Sequence, residues 1–152
     1  MAPTPVVLIG RKPEIATSVR KGLMPEYDVV HVILSDEQGL KDLPLLLSNP
    51  PKTPTNTEDN YGSKNYGERP LAVAAGGGLN DEMFNNLRAA CKDIEKGIVW
   101  LRADIKNVTK MPEFGDSEAY GLETARRVKN KLLELKVGEE STEGKEGVYW
   151  FT

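Results

Sequence analysis

The 152-residue chain contains one cysteine and one histidine, and what these scarcities exclude is the first thing it says. A lone thiol, Cys91, cannot form an internal disulfide and fits a reducing compartment. With His31 the sole imidazole, a structural zinc site of nitrogen and sulfur ligands has no donor set, and carboxylates alone would hold magnesium only beside a ligand's phosphate. No apolar run approaches the ~20 residues of a membrane span. The opening "MAPTPVVLIG" lacks the charged leader and long apolar core of a secretion signal, so the expected location is cytoplasmic. The net charge is −3 and the Lys and Arg residues are scattered, which gives nucleic acid no basic face to bind. Neither a membrane nor a nucleic acid is therefore an expected partner.

What the chain does have is a set of four short apolar runs: Val6 to Ile9, Val29 to Leu34, Leu71 to Ala75 and Ile98 to Leu101. They are rich in β-branched residues and continuous rather than alternating, the pattern of strands buried on both faces of a parallel sheet. Helical crossovers are expected between them. Pro13 suits a first helical turn, and Ile15, Val19 and Leu23 form a stripe that Pro25 ends. Ser35 and Gln38 have capping-box spacing, followed by Leu40, Leu43, Leu46 and Leu47, with Pro44 expected to break or restart the helix. Asn80 is a candidate N-cap for a helix carrying Phe84, Leu87, Cys91 and Ile94 and stopping at Gly97. Residues 116–138 read as a long amphipathic helix, with Gly121, Ala125, Val128, Leu132 and Leu135 inward and Arg126, Arg127, Lys129 and Lys131 in solvent.

"EGVYWF" near the C-terminus supplies a fifth, edge strand. The sum is a single α/β domain over residues 1–152, a three-layer, doubly wound and mostly parallel Rossmann-like sheet of four or five strands. Strand order 3-2-1-4-5 and order 2-1-3-4-5 both satisfy the pattern. The segment Ser48 to Arg69 is a long Pro- and Asn-rich loop on the side where strands begin. It reads either as a mobile insertion or as a segment anchored by Tyr61 and Tyr66. The loop Ile105 to Asp116 lies at the opposite, crevice side and could act as a lid.

In an open α/β sheet, ligands bind beyond the carboxyl ends of the strands. Those ends bring together Gly10, Arg11 and Lys12, then Ser35 and Asp36, then Gly76, Gly77 and Gly78 with Asn80, and finally Arg102 and Asp104. Glycines, helix starts and cations converging there point to a small anionic ligand, with Gly10, Arg11, Lys12, Asp36, Gly77, Gly78, Asn80 and Arg102 as binding candidates. Asp36 fits equally a ribose contact and the favoured acid of a first helical turn. Tyr120 and Asp104 are the acid/base candidates that can be placed, and no complete catalytic constellation is evident. Cys91 on a helix stripe reads as a buried structural thiol, and His31 as packed within the sheet.

The order of elements, "LIGRKPEIA", "AVAAGGG" and Tyr120 together resemble a shortened, degenerate short-chain dehydrogenase/reductase, or more broadly a Rossmann NAD(P)-binding domain. Gly10, Ile15 and Ala16 fall on conserved-type positions of that family's G-x-x-x-G-I-G turn, whereas Glu14 falls on its middle glycine. A glutamate adds bulk and negative charge where the diphosphate should lie, so NAD(P) in the standard pose is disfavoured. Ala74 to Gly77 matches the family's N-A-G stretch without the asparagine, and Thr124 stands where Y-x-x-x-K needs its lysine. A receiver domain lacks its aspartate at Ala75–Gly76, a flavodoxin lacks its hydroxyl-rich loop, and the P-loop pattern is absent. The alternative to ligand binding is a non-catalytic, homo-oligomeric interaction protein. It would associate through an edge strand or the Tyr-bearing loop, with Tyr149, Trp150 and Phe151 near the C-terminus as apolar cover.

Overall fold

Five parallel strands lie in the order β2-β1-β3-β4-β5 in the computed structural model, which describes residues 2–76, 78–106 and 111–152. The strands are β1 (Thr4–Ile9), β2 (Tyr27–Ile33), β3 (Ala72–Ala75), β4 (Val99–Ala103) and β5 (Gly147–Phe151). The helices are α1 (Pro13–Leu23), α2 (Asp36–Leu46), α3 (Asp81–Ala90) and α4 (Ser117–Glu134). Of the two orders open to the sequence, the fold takes 2-1-3-4-5, and the fold is a three-layer, doubly wound Rossmann-like sheet. The chain reverses direction across the sheet between β1 and β3, which places the ligand crevice of this topology at their carboxyl ends.

Alternation along β1 sorts the core into two layers. Val6 and Leu8 point to α1 and α4, joining Ala16, Val19, Leu23, Ala125, Val128 and Leu132. Val7 and Ile9 point to α2 and α3, joining Leu43, Leu46, Phe84, Leu87, Cys91 and Trp100. Each strand is thus apolar on both faces because each face carries a helical layer. Three helices start on side-chain caps, two of them the expected Ser35 and Asn80. Ser35 Oγ accepts from Gln38 N at 3.1 Å, Asn80 Oδ1 from Met83 N at 2.8 Å, and Asp116 Oδ1 from Ala119 N at 3.1 Å.

Four local expectations are corrected by the packing. α2 runs through Pro44 and ends two residues later at Leu46, with Leu43, Leu46 and Leu47 buried on the sheet. Leu40 faces solvent, while Gly39 takes the inward place against Leu87, where an added Cβ would meet a Leu87 methyl at 2.9 Å. α3 ends at Ala90 rather than near Gly97. Tight turns follow, and Arg69 clamps them by donating to the carbonyls of Leu47, Ile94 and Lys96 at 2.6–2.8 Å. Arg127 is not a solvent residue: it is 5% exposed, with its Nε donating to Glu123 Oε2 at 2.6 Å.

The 48–69 loop is an anchored strap along the outer edge of β2. Ser63 N donates to Val29 O at 2.9 Å and Lys64 N to Val30 O at 3.0 Å. The Asn60 carboxamide pairs with both backbone groups of Val32 at 2.8 and 2.9 Å. Gly62 makes the approach possible, since a Cβ there would sit 2.5 Å from the Val30 carbonyl. Tyr66 is the tyrosine that anchors, while Tyr61 is 46% exposed. The strap covers the hydrogen-bonding groups that an open edge would present.

Candidate functional site

α1 and α4 cross on one face of the sheet with almost no space between their backbones. At Gly121 a Cβ would lie 2.4 Å from Ser18 Cβ and 2.8 Å from Ile15 O, so the crossing requires glycine. Toward the carboxyl ends of the strands the two helices part, and a cavity of about 330 Å³ opens between them. Its floor is Leu8, Val19 and Phe151, all buried; its sides are Ile15, Ala16, Ala103 and Thr124. Ile105 and Phe114 are exposed residues at its rim.

The rim is organised around Phe114. Its ring packs edge-on against Tyr120 with centroids 5.3 Å apart, and Lys12 Nζ lies over it at 4.9 Å. Lys12 Nζ also donates to Phe114 O at 3.5 Å, tying the start of α1 to the segment before α4. Phe114 and Met111, from the segment expected as a lid, line the cavity. Residues 107–110 of that segment are outside the described residues.

Six of the sequence candidates line this cavity: Gly10, Arg11, Lys12, Gly78, Asp104 and Tyr120. Arg11 is tied to Asp36 by a salt bridge between exposed groups, and Asp36 itself is not among the lining residues. Glu14 is exposed on the first turn of α1 and does not line the cavity either. Gly77 lies outside the described residues. Asn80 spends its side-chain oxygen on capping α3. Arg102 turns away from the cavity: its guanidinium is sandwiched between Phe84 at 4.4 Å and Trp150 at 4.8 Å. It donates to Asp81 at 2.7 Å and to Leu79 O at 3.3 Å.

The residues that sequence reasoning missed are those of the walls. Ile15 and Val19 read correctly as an inward stripe, but the stripe gives no sign of where the core ends and a cavity begins. Arg127 carried no signal at all. Here Glu123 holds it in place, and the paired guanidinia of Arg126 and Arg127 pull the Glu123 carboxyl down to about 2. No group of three or more His, Cys, Asp or Glu among the described residues is placed to hold a metal ion.

A doubly wound, all-parallel sheet with a largely hydrocarbon cavity at the carboxyl ends of its strands defines a Rossmann-like α/β protein. More particularly, the chain belongs to the family of Kojic acid related protein 6 of Aspergillus oryzae (strain ATCC 42149 / RIB 40). The two are 33% identical over 132 residues, covering 86% of this chain and 77% of the relative. No family model and no solved structure matches the chain.

Proposed function

We propose that this protein binds a small molecule in the cavity between α1 and α4, with Arg11 and Lys12 at the rim meeting an anionic group. The observation that carries the reading is the cavity itself. It lies at the carboxyl ends of β1, β3, β4 and β5, it is lined by six residues chosen from sequence, and Phe114 stands at its rim. Such concave, mostly apolar sites at a topological switch point are the usual ligand sites of α/β proteins. NAD(P) in the standard pose is not part of this reading, because Glu14 puts a carboxylate on the turn that would receive a diphosphate. Tyr120 and Asp104 stand at the rim as acid/base groups should the bound molecule be turned over. A reducing, cytoplasmic setting goes with the single buried thiol of Cys91.

The test is a thermal-shift screen of small metabolites, nucleotides and, prompted by the relative's name, kojic acid, on the wild type and on Thr124→Phe. Thr124 lines the cavity and, among the described residues, its hydroxyl bonds only the Tyr120 carbonyl within its own helix, so phenylalanine fills the space with little damage elsewhere. A true ligand at about a hundred times its Kd adds about 2.7 kcal/mol of stability to the wild type and none to the filled variant. An equal shift in both proteins would place the ligand elsewhere.

A second reading, self-association, is favoured by β5. It pairs with β4 alone, so its far edge is open among the described residues, and Trp150 on it is 48% exposed. The strap excludes the same role for β2. Sedimentation that returns a monomer at high concentration would dispose of this reading.

A further inference from the structure

The walls of the cavity say more about its occupant than its position does. Leu8, Ile15, Ala16, Val19 and Phe151 offer hydrocarbon and no donor or acceptor side chain. A ribose or sugar seated on them would bury hydroxyl groups without partners, which is unfavourable for each one. The volume, about 330 Å³, is at the small end of the roughly 300–1,000 Å³ typical of ligand sites. Both counts favour a compact, apolar body over a dinucleotide.

The charges narrow the rest of the molecule. The lining holds three cations, Arg11, Lys12 and Arg127, and one acid, Asp104. Arg11 is matched by Asp36, and Arg127, well below the surface, is matched by Glu123. Lys12 differs from both. Its ammonium is held by a carbonyl at the outer limit of a hydrogen bond and by the face of a ring, with no carboxylate among its contacts with the described residues. A carboxylate arriving at the rim would form a charge-assisted bond to Lys12 stronger than either contact. One such cation suits one negative charge. Two or more would be opposed by Asp104, which lines the same cavity.

Resting on the ligand-binding reading above, we propose that the occupant is a compact amphipathic organic acid. Its apolar body sits on Leu8, Ile15, Val19 and Phe151, and its single carboxylate lies at the rim beside Lys12. Because Lys12 also clasps Phe114, the same bond draws that ammonium off the Phe114 ring as the acid enters. The head therefore faces the mouth and the body faces the sheet.

Matched pairs of acids and alcohols test this: cinnamate with cinnamyl alcohol, octanoate with octan-1-ol, and indole-3-acetate with indole-3-ethanol. AMP and NADP⁺ serve as nucleotide probes. Each is titrated by calorimetry into the wild type, Lys12→Met and Thr124→Phe. Methionine is close to lysine in length and apolar bulk and removes the charge. At least one acid is expected to bind about tenfold more tightly than its alcohol, a preference that Lys12→Met abolishes while leaving the alcohol's affinity unchanged. Thr124→Phe is expected to block both members of the pair.

If the alcohols bind as well as the acids, or if AMP or NADP⁺ binds more tightly in a manner that Thr124→Phe blocks, the ligand class is wrong and the site stands. A loss of acid and alcohol together in Lys12→Met also overturns the class, because Lys12 would then act through packing on Phe114. If no probe binds in a manner sensitive to Thr124→Phe, this proposal and the ligand-binding reading fall together.

Discussion

The phenolic oxygen of Tyr66, on the strap, lies 2.7 Å from Nδ1 of His31 in β2, thirty-five residues earlier in the chain. On the other side of the ring, His31 Nε2 lies 2.8 Å from Asp42 Oδ2 on α2. An ionised Asp42 can only accept, so Nε2 carries the proton and Nδ1 accepts from the Tyr66 hydroxyl. Three segments far apart in sequence are joined through one imidazole that is 1% exposed.

Tyr66→Phe should therefore destabilise the protein by about 1–3 kcal/mol, because it leaves a buried ring nitrogen without its donor. Urea denaturation measures the loss, and hydrogen exchange should show weaker protection at Ser63 and Lys64, whose amides bond β2. Tyr61→Phe, at an exposed position of the same strap, should change stability by less than about 0.5 kcal/mol. Equal effects from the two variants would show that Tyr66 does not latch the strap.

The same imidazole makes stability depend on pH. Burial holds the His31 pKa below its ordinary value, with the Asp42 carboxylate pulling the other way. The unfolded chain titrates near ~6.5, so as pH falls through that value the unfolded state takes up the proton first. This contribution to stability is complete above about pH 6.5 and is lost as pH falls toward the lower folded-state pKa. Urea midpoints should drop between about pH 7.5 and about pH 5.5, and the slope should flatten in His31→Gln. A wild type more stable at the lower pH would reverse the sign argued here.

Glu123→Gln is expected to cost about 1–3 kcal/mol, because the buried Arg127 loses a charge-assisted partner. The Glu123 carboxyl is lowered to about 2 by the two guanidinia, so its contribution is present above the ordinary value of about 4.5 and is lost as pH falls from there toward about 2. Acid titration of the wild type and the variant, followed by circular dichroism, should converge at the bottom of that window. Curves that stay parallel throughout would remove Glu123 from the account.

Gly121→Ala should be among the most damaging single-methyl changes in the chain, since the new carbon meets backbone at Ile15 as well as the Ser18 side chain. Overpacking of this kind costs about 1–3 kcal/mol. Because the α1–α4 crossing also sets the width of the cavity, ligand affinity should change with stability. The control is Gly115→Ala, where nothing lies within 4 Å of an added Cβ, and it should be silent in both measurements.

Most of the architecture was legible because its signals are local. Continuous β-branched runs mark strands covered on both faces, and Ser35 and Asn80 open helices wherever they occur in such a pattern. The mistakes have one cause in common. α3 stops short of Gly97 because Arg69, from another segment, binds the turns that follow it. Leu40 points outward because Gly39 is needed where α2 meets α3. At the site, the strand-end rule found the rim residues Gly10 to Lys12, Gly78 and Asp104, yet it put Arg102 there too. Phe84 and Trp150 hold that side chain on the other side of the sheet.

The amino-acid sequence by itself determined the alternation of strand and helix, the parallel sheet and which glycines and polar residues gather at the carboxyl ends of its strands. All three follow from hydrophobic period, caps and turn residues within short windows. The choice of order 2-1-3-4-5, the anchoring of the strap through Tyr66 and His31, and the burial of Arg127 were decided only by the tertiary structure. So was the cavity between α1 and α4. Each depends on which surfaces meet across tens of residues, and a cavity in particular is a gap between two packed elements that no single stretch of chain contains.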